Sequence, residues 1–137
     1  MYETGEAYEV DNELNTLGTY CPTNTLAPFI VNAHTRLDSK TGELYACTYD
    51  FKQPFLRYYV IDKNGALTKN FPIEKPFSTM IHDFVITENY VVFFDCPAIF
   101  DFANPGAFLH YAPELGTTII LVHRKTQQKI TLKKLTP

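Results

Sequence analysis

The sequence predicts an all-β fold built from antiparallel strands. Helical periodicity is almost absent, and short runs of β-branched and aromatic residues recur between turn signals. The strongest strand candidates, in chain order, are residues 44–50, 55–62, 82–87, 90–95, 117–123 and 129–133. The connections between them are short, so neighbouring strands are expected to pair antiparallel.

The turns between these candidates have a recognisable chemistry. Gly42 ends the segment 38–42 and Gly65 ends the segment 62–65, where a positive φ at glycine closes a hairpin. No linker or low-complexity segment divides the chain. Residues 1–137 are therefore expected to belong to one domain.

A weak internal repeat suggests that the strands form propeller blades. The runs that begin at His34 and His82 open similar series of strands and are 48 residues apart, about the length of one four-stranded blade. The first strand of each blade lines the central channel, so the two histidines are expected to face the same point. The chain would then form about two to three blades of a larger ring, with exposed strand edges that a closed ring would pair.

Composition and charge exclude several classes of protein. A net charge of −3 and a pI near 5.7 argue against a nucleic-acid binder. No apolar run approaches the roughly 18–20 residues that span a bilayer, and no secretory signal is visible. The three cysteines form no C-x-x-C pair and are expected to be free thiols in a reducing compartment, with a Cys21–Cys47 disulfide as the weaker alternative. A cytoplasmic location is therefore expected.

Charge is distributed unevenly along the chain. Acidic residues crowd the stretch before Arg36, and no acid follows Glu114, whereas Arg124 and four lysines do. Two solvated faces are the favoured explanation. The alternative is that both ends meet other parts of a larger body.

The segment 97–111 interrupts the strand pattern with proline and glycine but is strongly apolar. Such a segment either folds inward or is exposed for a purpose. Its large apolar side chains are Ile99, Phe100, Phe102, Phe108 and Leu109.

Local motifs reveal no site by themselves. The chain has no Gly-x-Ser-x-Gly elbow and no glycine-rich phosphate loop. Its histidines, His34, His82, His110 and His123, form no compact metal-binding pair, although imidazole is a common ligand for iron, copper and zinc.

The segment Met-Ile-His-Asp-Phe-Val-Ile-Thr-Glu-Asn-Tyr-Val-Val-Phe-Phe-Asp, residues 80–95, strongly resembles the signature of the carotenoid cleavage oxygenase family. The resemblance extends to residues 9–18, 32–44 and 56–65. It implies a seven-bladed propeller with a non-haem Fe(II) on the axis, held by four histidines.

Two ligand positions of the family match this chain. His34, in Asn-Ala-His, stands at the first, and His82, in Ile-His-Asp-Phe, stands at the second. Glu3 matches a glutamate expected to accept the N–H of His82 and so orient its ring. His110 and His123 match no ligand position. The third and fourth ligands of the family have no counterpart in residues 1–137, so the rest of the propeller is needed to complete the site.

The resemblance implies oxidative cleavage of a conjugated C=C bond in a carotenoid, apocarotenoid or stilbene, with O2 as co-substrate. The substrate is an apolar small molecule, and the segment 97–111 is expected to touch a membrane peripherally or to border the substrate path. With two histidines alone, the isolated chain is expected to be inactive. Two alternatives stay open: an inactive propeller segment that acts as a scaffold or binding module, and a small metal-dependent oxygenase that completes its site by oligomerising.

Overall fold

The computed structural model describes residues 5–27 and 29–135. Within these residues, all regular structure is β-strand apart from two single-turn 3-10 helices, Pro105–Ala107 and Pro113–Leu115. The strands are β1 (Gly5–Glu6), β2 (Tyr8–Val10), β3 (Thr16–Thr19), β4 (Ile30–Val31), β5 (Arg36–Leu37), β6 (Leu44–Tyr49), β7 (Leu56–Ile61), β8 (Leu67–Ile73), β9 (Phe84–Ile86), β10 (Tyr90–Asp95), β11 (Ala98–Phe100), β12 (Leu109–Tyr111), β13 (Thr117–His123) and β14 (Lys129–Leu135).

Two four-stranded antiparallel sheets dominate the molecule. The first sheet has the order β5-β6-β7-β8, and the second has the order β9-β10-β13-β14. Each sheet starts with a short edge strand, β5 or β9, and adds its other strands outward in chain order. This is the up-and-down pattern of propeller blades, and the all-β, four-stranded fold class predicted from the sequence is confirmed.

The six predicted strands are all present, with ends that differ by at most two residues. The sequence does not predict β8, because its segment Thr-Lys-Asn-Phe-Pro is largely polar and contains a proline, which is unusual within a strand. It forms because β8 is the outer edge of its sheet, where every second side chain faces solvent and the missing N–H of Pro72 costs nothing.

The main hydrophobic core draws its side chains from both sheets. Tyr58 of β7 and Phe93 of β10 meet with ring centroids 6.3 Å apart, and Phe93 stacks on Phe84 of β9 at 5.5 Å. All three side chains are fully buried. Burying a large apolar side chain contributes about 1.5–3 kcal/mol, so this shared core fixes the position of β9 relative to the first sheet.

A second, smaller core covers the other side of the first sheet. The strands β1 and β4 pair with each other, and Phe29 and Val31 pack there on Ala46 and Ile61. The described residues therefore contain two complete sheets and part of a further layer.

The segment 97–111, expected to be irregular, forms a β-hairpin. Strands β11 and β12 pair around the 3-10 helix Pro105–Ala107. Proline and glycine supply the turn of this hairpin rather than ending the strand pattern. Three-residue strands are too short to show a period of two in the sequence.

The cysteines and the lengths of the helices can also be compared with the sequence predictions. Cys21 and Cys96 are free thiols, as predicted, and Cys47 is fully buried. In the part of the chain that the structure describes, no helix has the length and apolar character needed to cross a membrane.

Candidate metal centre

His34 and His82 occupy equivalent places in the two sheets. His34 lies two residues before β5, and His82 lies two residues before β9. The structure brings their rings together: the Nε2 atoms are 3.1 Å apart, the ring centroids are 4.7 Å apart, and the ring planes are inclined by 70°. His34 is half-buried and His82 is exposed. Residues 48 positions apart in the chain thus form one pair of nitrogen donors.

The spacing of the two Nε2 atoms fits one divalent metal ion. Two imidazole nitrogens that bind an ion at about 2.1 Å each lie ~3.0 Å apart at a right angle and ~3.4 Å apart at a tetrahedral angle. The observed 3.1 Å is close to the first value. Neutral imidazoles suit iron, copper and zinc, and the right-angled arrangement is that of neighbouring positions in an octahedral site. In the metal-free chain, the same distance allows one ring N–H to donate to the other nitrogen.

Asn32 ties the backbones of the two histidine segments together. Its side chain is fully buried. Its Nδ2 donates to the carbonyl oxygen of His82 at 3.1 Å and to that of Ile81 at 3.5 Å, while its backbone N–H donates to the carbonyl of Cys47 in β6 at 2.8 Å. One side chain therefore joins the segment of His34 to the main chain of His82.

An ion pair connects the same segments on the other side of the histidines. Arg36 donates to both carboxylate oxygens of Asp83 at 2.6 Å and to the carbonyl of Thr35 at 3.0 Å. Asp83 also accepts the backbone N–H of Phe84 at 2.7 Å, and the guanidinium lies 5.8 Å from the centre of the Phe84 ring. Neither Asn32 nor this ion pair was recognised in the sequence.

At the opposite end of the two sheets, Arg124 joins the β5–β6 turn to the β9–β10 turn. Its guanidinium donates to the carboxylate of Asp38, to the Tyr45 hydroxyl at 2.9 Å and to the carbonyls of Thr87 and Glu88 at 2.9 and 3.2 Å. The hydrogen bond from Arg124 holds the pKa of Asp38 below its usual value. The Arg124 side chain is only 11% exposed, so its expected place on a solvated basic face is wrong.

The other sequence candidates lie elsewhere. His123 is the last residue of β13, and its Nδ1 accepts the backbone N–H groups of Lys125 and Thr126. His110 pairs with Ile99 in the β11–β12 hairpin. Glu3 lies outside the described residues. Among residues 5–27 and 29–135, no group of three or more His, Cys, Asp or Glu side chains could hold a metal ion. The centre seen here offers two nitrogen donors.

An aromatic cluster lies at the histidine end of the second sheet. The hairpin follows Asp95, the last residue of β10, and β10 runs back to the end at which β9 begins. Phe51 contacts Phe100, Phe102 and Phe108, with ring centroids 5.0, 4.9 and 6.1 Å away.

The segment 97–111 is partly packed inward and partly exposed, so both predicted alternatives apply to it. Phe100 stacks on Tyr49. Other side chains are exposed, namely Phe102 at 57%, Phe108 at 43% and Leu109 at 44%. Ile99 is half-buried. The sequence does not predict that Phe51, which is 45% exposed, joins this cluster, because Phe51 lies in the β6–β7 turn, far along the chain from residues 97–111.

Comparison with known proteins shows to which protein family the chain belongs. The family model described as retinal pigment epithelial membrane protein (RPE65) matches residues 1–136. The chain is 39% identical over 90 residues to a carotenoid 9,10(9',10')-cleavage dioxygenase of Crocus sativus, covering 66% of this chain and 16% of that protein. It is 30% identical over 132 residues to an isoeugenol monooxygenase of Pseudomonas nitroreducens, covering 91% of this chain and 28% of that protein.

Among solved structures, the lignostilbene dioxygenase of Pseudomonas brassicacearum matches with a TM-score of 0.82 and 29% identity. The match covers 96% of this chain and 29% of that one. The chain therefore belongs to the RPE65, or carotenoid cleavage oxygenase, family, as the sequence resemblance indicated. It spans less than a third of the length of these relatives.

Proposed function

We propose that this chain supplies two of the nitrogen ligands, His34 and His82, of a non-haem Fe(II)-dependent dioxygenase. The observation that supports the proposal most strongly is the 3.1 Å separation of the two Nε2 atoms at the start of successive sheets. The distance and the donor type both suit neighbouring positions around one divalent ion. Glu3 is proposed to accept the N–H of His82, the role of a carboxylate that orients a ligating imidazole.

The proposed substrate is a conjugated alkene. The relatives are named for carotenoid cleavage, isoeugenol oxidation and lignostilbene oxidation, and each of these substrates carries a C=C bond in conjugation. The reaction proposed for the whole protein is oxidative cleavage of such a bond by O2, with one oxygen atom entering each carbonyl product. The names do not select among carotenoid, apocarotenoid and stilbene.

The residues of this chain perform two tasks in that reaction. His34 and His82 each donate an Nε2 lone pair and leave other positions around the ion open. When bound, ferrous iron supplies the binding and activation of dioxygen. The aromatic cluster provides an apolar surface at the same end of the sheets, where a hydrophobic substrate loses little on leaving water.

We infer that the exposed part of this cluster borders the substrate path or a membrane surface. Replacing Phe102 and Phe108 with serine in the longest available form of the protein should weaken liposome binding or substrate uptake. Replacing Val85, which is 39% exposed on β9, with serine is the control. Unchanged liposome binding and uptake in the double Phe variant would rule this role out.

Residues 1–137 are proposed to form part of a propeller domain whose remaining blades supply the other ligands. Two imidazoles alone hold Fe(II) weakly, so the isolated chain should be inactive. Stoichiometric retained iron together with alkene cleavage by the isolated chain would contradict this.

The ligand proposal is tested by metal binding to the isolated chain. Anaerobic titration with Fe(II) and with Co(II), against a chelating dye, should show one weak site. His34→Ala and His82→Ala should each lower the affinity at least tenfold. His110→Ala is the matched control and should leave it unchanged. Equal metal affinity in wild type and all three variants would overturn the proposed metal centre and favour the scaffold function. A size increase that requires metal and both histidines would indicate a site completed between chains.

A further inference from the structure

We propose that Asn32 and the Arg36–Asp83 ion pair are positioning residues that set the separation of the two histidine nitrogens before metal binds. This inference rests on the proposed function of His34 and His82 as ligands. The observation behind it is that these side chains connect the two histidine segments on both sides of the imidazole pair.

The inner connection is made by Asn32. Its carboxamide lies two residues before His34 and donates to the carbonyl of His82 itself, so a shift of either segment lengthens this hydrogen bond. Its backbone N–H donates to the carbonyl of Cys47, which attaches Asn32 to β6, an inner strand of the first sheet. Asn32 thus resists relative motion of the two blades at the histidines.

The outer connection is made by Arg36 and Asp83. Arg36 lies two residues after His34, and Asp83 directly follows His82. One guanidinium nitrogen, Nη2, meets both carboxylate oxygens at 2.6 Å, while Nη1 donates to the carbonyl of Thr35 at 3.0 Å, so one planar group is held between the two histidine segments. The two side chains are 32% and 43% exposed, so the pair contributes little to stability. The main effect of the ion pair is therefore to fix the position of the two histidine segments relative to each other.

Together the two connections leave the imidazoles little freedom to separate. A metal ion that meets ligands already 3.1 Å apart does not have to restrict the motion of two chain segments as it binds. Removing a residue that positions ligands typically lowers metal affinity by 10- to 100-fold. Asn32 also keeps its Oδ1 buried without a hydrogen-bond partner among the described residues, an arrangement in which the amide serves through its donors alone.

The test measures Co(II) affinity and melting temperature on the isolated chain. Asn32→Leu removes the inner donors and should lower affinity about tenfold or more. Arg36→Gln should lower it several-fold with little change in melting temperature. Arg36→Lys keeps the charge but lacks the planar group that contacts both Thr35 and Asp83, so its affinity should fall between those of Arg36→Gln and wild type. All titrations are made well below the melting temperature of the least stable variant.

Two matched controls separate positioning from general stability. Arg57→Gln removes a half-buried arginine that contacts Asn70 on the first sheet, and Thr79→Val removes a buried hydroxyl that contacts Lys75 and Asp95. Both should keep wild-type affinity, although Thr79→Val should melt at a lower temperature.

The outcomes distinguish this inference from the proposed function. Wild-type affinity in folded Asn32→Leu or in Arg36→Gln overturns the positioning role, while a loss in His34→Ala and His82→Ala still upholds the ligands. Wild-type affinity in the histidine variants overturns the ligands themselves. If Asn32→Leu does not fold, Arg36→Gln decides the question alone.

Discussion

The two ends of the interface between the sheets are built differently. At one end, the side chain of Arg124 is 11% exposed, and its guanidinium donates to a carboxylate, a hydroxyl and two carbonyls. At the other end, His34 and His82 turn their Nε2 atoms toward each other at 3.1 Å, with His82 exposed. Both ends join the same two sheets.

The difference shows how a group that stabilises the fold is surrounded differently from a group that has to bind a ligand. A group that only holds a fold together is stabilised by having every donor and acceptor paired in a buried place. A group that must bind a ligand keeps lone pairs accessible, and neighbouring groups have to supply the rigidity. At the histidine end this task falls to Asn32 and to the Arg36–Asp83 pair.

The largest expected effect on stability comes from the Arg124 end. Arg124→Met removes hydrogen bonds to a carboxylate, a hydroxyl and two carbonyls and should lower the free energy of unfolding by about 1–3 kcal/mol. Chemical denaturation measures this. The matched changes at the other end, His34→Ala and His82→Ala, should each stay within about 0.5 kcal/mol of wild type. A histidine variant that is as destabilised as Arg124→Met would erase the distinction between the two ends.

A smaller effect is expected from acid. Because Arg124 lowers the pKa of Asp38, this carboxylate stabilises the fold fully above the pKa of the unfolded chain, about 3.9, and the stabilisation is lost as pH falls through the lower folded value. Asp38→Asn should therefore flatten the fall in stability below about pH 4. The same substitution in the Arg124→Met background should change the acid profile much less. Identical acid profiles for wild type and Asp38→Asn would show that the pair does not couple to proton binding.

The sequence predicts those parts of the molecule that leave a local pattern. β-branched and aromatic runs located six of the eight strands of the two sheets, including all four inner strands, and the spacing between His34 and His82 predicted that they would face the same point. Edge strand β8 and the β11–β12 hairpin left no such pattern, since one is half-polar and the other has strands of three residues.

The connections around the histidines could not be predicted for a different reason. Arg36 finds Asp83 across 47 positions, and Arg124 finds Asp38 across 86. Which charged side chains meet is decided by how one sheet packs on the next, through a core that includes Tyr58 and Phe93. A run of basic residues therefore resembles a solvated face until that packing is known.

The most direct test of the central claim is anomalous X-ray diffraction at the iron edge. Crystals of the chain would be grown anaerobically with millimolar Fe(II). We expect one anomalous peak about 2.1 Å from Nε2 of both His34 and His82, a peak that is absent from His82→Ala crystals. A peak bound to only one of these rings, or located at His110 or His123 instead, would contradict the shared metal centre.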